Sequence, residues 1–276
     1  VKMTLAKDAK FYSAYNITSF TYRMSSQGTE KQYDYLVNDQ PIVNAEFYKP
    51  ITSTTGWASI KDDYKQNYKL YADLNFQFLD SKISVIPSNA ITSTTITSGN
   101  GDIFWGKLDG NGHKISFIDT GTYGYVFGKL KGTIKNLTVE DLDATKGTTQ
   151  FKGFIGRMFE GSLVDNVHIF RMNAVSYEQC GAIAGDVFAS TIINSSAHNI
   201  KISTTADGNF TQYVGGLVGK HRVTGGTIYA NLVIYNSYVD GLELNVKSAG
   251  DCGGAGGLVG YIRASAEISH VYVIDG

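Results

Sequence analysis

The chain has 276 residues, 24 basic and 25 acidic side chains, a formal net charge of −1 and 42% hydrophobic content, enough for one large domain or two unequal ones. Without a Lys/Arg cluster there is no electrostatic footprint for nucleic acid or an acidic membrane, and no apolar run reaches the ~18 residues of a membrane-spanning helix. Glycine is abundant (31) and proline scarce (3), which points to many tight corners between strands.

Taken along the chain, residues 1–50 read as a small β-rich N-terminal unit. A strand is expected over 12–22, and segments 33–37 and 42–47 flank Asn38-Asp-Gln-Pro41 as a hairpin. Residues 51–103 read as an entry and capping segment. Trp57 and Ile60 stand at i, i+3 within 53–64, which predicts one short helix; a strand follows over 68–76, and the polar stretch 88–101 reads as a loop. Residues 104–276 carry an internal repeat.

The repeat has two phrases. The first is Tyr125-Val-Phe-Gly128, Gly153-Phe-Ile-Gly156, Gly181-Ala-Ile-Ala-Gly185, Gly215-Gly-Leu-Val-Gly219 and Gly256-Gly-Leu-Val-Gly260, whose last glycines are spaced by 28, 29, 34 and 41 residues. Unequal spacing implies loops of variable size on a constant core. The second is Ile134-Lys-Asn136-Leu-Thr-Val139, Val164-Asp-Asn166-Val-His-Ile169, Ile192-Ile-Asn194-Ser-Ser-Ala197, Ile234-Tyr-Asn236-Ser-Tyr-Val239 and Ile268-Ser-His270-Val-Tyr-Val273. One polar residue recurs among apolar ones, at the place where a corner would separate two short strands. The composition of Gly, Val, Ile, Thr and Tyr without a sustained 3.6-residue period disfavours helix.

These features predict an all-β protein: a parallel β-helix, or solenoid, of about six rungs stacked at ~4.8 Å. Stacking in register places Asn136, Asn166, Asn194 and Asn236 above one another, with His270 ending the column and Asn231 as the alternative to Asn236. The expectation is a buried ladder of amides hydrogen-bonded along the coil axis, which removes a burial penalty of about 1–3 kcal/mol per amide.

The order of Trp57 with Ile60, Asn67-Tyr-Lys-Leu-Tyr-Ala-Asp-Leu74, Phe104-Trp-Gly-Lys-Leu-Asp-Gly-Asn-Gly-His-Lys-Ile115 and then Gly-Leu-Val-Gly phrases resembles the GLUG-repeat β-helix. That coil occurs in the N-terminal region of bacterial IgA-specific metallopeptidases and in large surface proteins. The resemblance covers residues 50–276 and implies a non-catalytic, extracellular or cell-surface module with a structural, adhesive or assembly role. It also admits an accessory domain of a secreted metallopeptidase.

Catalytic chemistry finds little footing. No His-Glu-x-x-His is present, and His113, His168, His198, His221 and His270 lack ligand spacing. A carbohydrate-active β-helix enzyme would need paired carboxylates on adjacent rungs. The candidates are Asp109, Glu140, Asp141, Asp143, Asp165, Glu178, Asp186, Asp240 and Glu243, but Glu140-Asp-Leu-Asp143 reads as a solvated turn and the five arginines are scattered. The chain is therefore expected not to be an enzyme, and to need neither metal nor cofactor.

Cys180 and Cys252 are expected two rungs apart, beyond disulfide reach, as free thiols. Of four Asn-x-Ser/Thr sequons, Asn16 and Asn209 are the possible glycosylation sites, because Asn136 and Asn194 belong to the ladder. The last rung ends at Ile274-Asp-Gly276 without a polar cap, so a neighbouring domain or an identical head-to-tail subunit is expected there. Glycans or surface proteins are the other partners in view.

Overall fold

The computed structural model describes residues 48–77, 103–147, 149–205, 211–223, 231–247 and 252–275, together with the short strands Ser19–Arg23, Glu30–Asp34, Leu36–Val37 and Gln40–Pro41. Two compact units result, Val1–Pro50 and Ile51–Gly276. In the first, Ser19–Arg23 pairs antiparallel with Glu30–Asp34, and Leu36–Val37 with Gln40–Pro41. Val37 faces Gln40 across two residues, so the expected hairpin closes earlier than the sequence suggested; 12–18 and 42–47 lie outside the described residues.

The second unit is a parallel β-helix. Six levels of one sheet stack as Lys107–Asp109 with Lys114–Asp119, Thr133–Ala144, Leu163–Ser176, Thr191–Ile193 with Ser196–Thr204, Leu232–Asn245, and Ala266–Ile274. We number these levels one to six. The glycine phrases form a second parallel sheet, in which Phe127, Ile155, Ala184, Val218 and Val259 succeed one another.

Register explains the repeat. Leu108, Ile134, Val164, Ile192 and Ile234 align and are fully buried, as do Ile115, Val139, Ile169, Ala197 and Val239. Burying each large aliphatic side chain contributes roughly 1.5–3 kcal/mol, and neighbours above and below supply the packing. Along the second level the buried positions are Ile134, Leu137, Val139, Leu142 and Ala144. The steps are two residues within a strand but three across Asn136 and across Asp141. Each longer step is a corner, and both corner residues have positive φ, 54° and 55°.

One end of the coil is closed. Ser53 Oγ accepts from the Gly56 N–H at 3.1 Å and caps the helix Thr54–Ala58, which runs into a 3-10 turn at Ser59–Asp62. Trp57 and Ile60 are buried, and the Trp57 ring packs edge-on against Phe76 and Phe127 at 6.2 and 6.0 Å. The short helix thus stands where the sequence placed it. The strand expected over 68–76 divides into Tyr68–Leu70, beneath Leu108, and Leu74–Asn75, beneath Ile115; residues 78–102 lie outside the description. At level six, by contrast, Tyr272, Val273 and Ile274 are 50%, 42% and 46% exposed. No helix among the described residues is long and apolar enough to cross a membrane.

Candidate functional site

The first corner is built from the expected residues. Asn136, Asn166, Asn194, Asn236 and His270 succeed one another with φ between 47° and 55°. Asn tolerates this left-handed region because its short amide bonds locally, whereas other L-residues pay about 1–2 kcal/mol there. Asn166 Nδ2 donates to Asn136 Oδ1 at 3.0 Å, and Asn236 Nδ2 to Asn194 Oδ1 at 2.9 Å. The ladder is interrupted between these pairs: Asn194 Nδ2 donates to Asp165 Oδ1 at 2.8 Å, and Asn136 Nδ2 to Asp109 Oδ1 at 3.1 Å.

The expected burial of the ladder is corrected, while His270 keeps its expected place at the end of the column. The column is not buried, since Asn136 and Asn194 are half-buried and Asn166, Asn236 and His270 exposed. A left-handed corner aims its side chain outward rather than into the core. And His270 takes its place by position and by a ring contact with Tyr235, centroids 4.9 Å apart.

A second corner follows five residues later at each level: Phe117, Asp141, Arg171, Asn199, Gly241 and Asp275, with φ from 48° to 70°. Arg171 binds Asp141 through Nε at 2.6 Å and reaches Glu140 at 3.3 Å, while Lys114 lies 3.4 Å from Glu140. Asp143 Oδ1 accepts from the Thr145 N–H. Glu140-Asp-Leu-Asp143 is therefore not the expected solvated turn but the end of the strand Thr133–Ala144, bent at Asp141, with Glu140 and Asp141 sharing Arg171, Lys114 beside Glu140, and Asp143 holding the Thr145 amide. Among the described residues no group of three or more His, Cys, Asp and Glu is placed to hold a metal ion.

Between the two corners lies a polar relay that the sequence did not reveal. His168 Nδ1 is 2.7 Å from Ser196 Oγ, which is 2.9 Å from His198 Nε2; His198 Nδ1 is 3.5 Å from Asp240 Oδ2. His168 Nε2 in turn lies 3.0 Å from Asn166 Oδ1. Ser196 is fully buried under these rings, so its hydroxyl serves as a bridge rather than an accessible nucleophile. Burial foremost, and then the charge of His198, hold His168 below the ordinary histidine range.

The glycine sheet holds the buried charges. Asp186 receives Arg157 Nε at 2.8 Å and Arg222 Nε at 2.9 Å, and Arg222 also donates to Gln179 Oε1 at 3.1 Å. The Arg157 guanidinium lies 4.2 Å from the Phe151 ring. Burial pushes Asp186 upward and Arg157 downward, and their mutual attraction opposes both shifts. Nearby, fully buried Lys152 donates from Nζ to the carbonyls of Ala144, Lys146 and Gly147 at 3.1, 2.8 and 2.9 Å. Burial brings its pKa down to about 8, and drives Cys180, level with it on the next strand, up to about 12. These groups fasten a loop and a corner. Gly185 lets neighbouring main chain approach closely: a Cβ there would sit 2.9 Å from the Lys152 backbone N and 3.0 Å from the Gln179 backbone O.

The remaining expected residues fall as follows. His113 Nδ1 lies 2.9 Å from Asp73 Oδ1, and that hydrogen bond holds the Asp73 carboxyl below its usual range. His221 is buried. Cys180 is a buried free thiol, and strand Gln212–Gly215 separates its strand from Cys252–Gly256. Asn16 and Asn209 lie outside the described residues.

Neither a protein-family model nor a curated protein matches the chain, so the GLUG family expected from the glycine phrases is not established. Among solved structures, the crystal structure of a "putative immunoglobulin A1 protease" from Bacteroides ovatus is similar at 17% identity and a TM-score of 0.48, over 83% of this chain and 77% of that chain.

Proposed function

We propose that the chain is a non-catalytic structural module of an extracellular or cell-surface protein, a rigid coil closed at one end and receptive at the other. The supporting observation is the asymmetry of the two ends. Trp57 and Ile60 cover the apolar cross-section at the helix end, whereas level six leaves Val273, Ile274 and the neighbouring Ile262 between 42% and 46% exposed. Ala266–Ile274 pairs with level five, and the neighbouring Val259–Ile262 and Cys252–Gly256 pair with Val218–His221 and Gln212–Gly215; among the described residues nothing pairs with their other edges, which offer a template for a further stack. The occupant that fits is another β-rung in parallel register, whether from a neighbouring domain or an identical subunit.

Sedimentation velocity of the 276-residue chain at micromolar concentration tests this reading. Concentration-dependent association is expected, relieved in Val273→Lys with circular dichroism unchanged. A monomer at every concentration that also binds no hydrophobic dye would overturn it.

A further inference from the structure

The relay between the corners has a hydrogen-bond polarity that can be followed from one end to the other. The Asp109 carboxylate only accepts, so Asn136 must direct Nδ2 to it and present Oδ1 to the third level. Asn166 fills that acceptor with Nδ2 and presents Oδ1 to His168 Nε2, which must therefore carry a proton. A neutral His168 then has a lone pair at Nδ1, and the Ser196 O–H donates to it at 2.7 Å. That hydroxyl has no second proton, so its oxygen accepts from His198 Nε2–H at 2.9 Å. At the far end Asp240 is again a carboxylate, 3.5 Å from His198 Nδ1.

A chain of donors that ends in a carboxylate on both sides needs one member that donates both ways. Asn, Ser and a neutral imidazole each relay in one direction; an imidazolium donates from both nitrogens. His168 is the wrong place for that charge, because a cation there would meet only the Asn166 amide oxygen and the Ser196 hydroxyl in a setting where burial disfavours it, whereas His198 faces the Asp240 carboxylate. From this polarity we infer that His198 is a proton-operated latch, fastening the fifth coil level to the fourth through Asp240.

The surroundings suit a cation. The His198 ring stacks on Phe170 with centroids 4.4 Å apart and planes 6° apart, and meets the edge of Tyr238 at 5.2 Å. Tyr238 itself stacks on Tyr272 of the sixth level at 4.7 Å. The titratable groups around His198 are thus Asp240 and Tyr238 from level five, His168 from level three, and Tyr272 behind Tyr238. Asp240 is the negative one among them. A positive ring strengthens both the contact to Asp240 and the stacking on the aromatic faces. The fastening needs a donor at both His198 nitrogens, one toward Ser196 Oγ and one toward Asp240 Oδ2. Without that proton, a lone pair at Nδ1 confronts the carboxylate.

Long-range 1H–15N NMR on the full chain at pH 5 and pH 8 reads the protonation of each ring nitrogen, and amide exchange over 232–245, corrected for intrinsic rates, reads the fastening. At pH 5 both His198 nitrogens are expected to be protonated and His168 to carry its proton on Nε2 alone. Exchange over 232–245 is expected about two- to fivefold slower at pH 5 than at pH 8, as for a modest ion pair. Asp240→Asn, at a side chain 43% exposed, is expected to abolish that difference. A singly protonated His198 at pH 5, or a pH dependence that survives in Asp240→Asn, would overturn the latch.

Discussion

Each level of this coil bends twice in the left-handed region, and the two bends are made differently. The first uses Asn at four levels and His at the sixth; the second uses Phe117, Asp141, Arg171, Asn199, Gly241 and Asp275. Backbone demand is the same, with φ near 50–60° in most of these residues. Side-chain duty is not. At the first bend the amide must bond to the level below it, to Asn136, Asp165 or Asn194. At the second, the bend is held by the buried residue that follows it, Ile118, Leu142, Met172, Ile200 or Leu242, and the corner side chain is at liberty to form ion pairs or to protrude. Stacking of the flanking strands fixes the conformation; what the side chain has to reach fixes its identity.

The largest break in this comparison is expected from Asn194→Val. A β-branched residue at φ 51° costs about 1–2 kcal/mol in backbone strain. Loss of the bonds to Asp165 and Asn236 adds about 1–2 kcal/mol. Together they predict a loss of about 2–4 kcal/mol in urea unfolding, while Asn194→Gly, which accepts the backbone, should lose the hydrogen-bond part and about 0.5–1 kcal/mol of chain entropy. Equal losses in the two variants would show that the amide, and not the conformation, governs the first corner.

Phe117→Asn tests the converse at the second corner. Phe117 is 42% exposed at φ 59°, so it carries the strain of the left-handed region with limited burial in return. Asn at this position is expected to stabilise the coil by about 1 kcal/mol, read as a higher urea midpoint at unchanged slope. An unchanged or lower midpoint would mean that the Phe117 ring contributes as much packing as its backbone costs.

The same contrast decides what the sequence could reveal. Glycine phrases and the Asn corner were legible because one residue type is needed at every level, and the helix was legible because Ser53, Trp57 and Ile60 are local signals. Asp141, Arg171 and Gly241 share no chemistry, so the second corner left no trace, and each corner shifts the two-residue alternation by one. The amide column was visible but was placed inside the coil, because a repeated polar residue among apolar ones reads as a satisfied core position until its φ is known. Ser196-x-His198 lies on one strand face, yet its partners His168 and Asp240 come from other levels. With glycine intervals of 28–41 residues, those juxtapositions emerge only once the register is fixed. Asp186 is the same case, since Arg157 and Arg222 arrive from 29 and 36 residues away.

Arg171 is expected to give the smallest effects, and for opposing reasons. Its side chain is 49% exposed and binds Asp141 and Glu140, a pairing that contributes at most about 1 kcal/mol in solvent. Arg171→Gly removes that attraction and also removes the strain of φ 58°, while adding about 0.5–1 kcal/mol of chain entropy to be lost on folding. The net change should stay within about 1 kcal/mol, far below that of Asn194→Val. Salt separates the parts. Raising NaCl from about 0.01 to 1 M shortens the screening length from about 30 to 3 Å, so the wild type should lose a few tenths of a kcal/mol relative to Arg171→Gly, whereas Asn194→Gly should follow the wild type across the series. If the Arg171 and Asn194 variants respond alike to salt, charge does not distinguish the corners, and the second owes its tolerance to the buried residue after it alone.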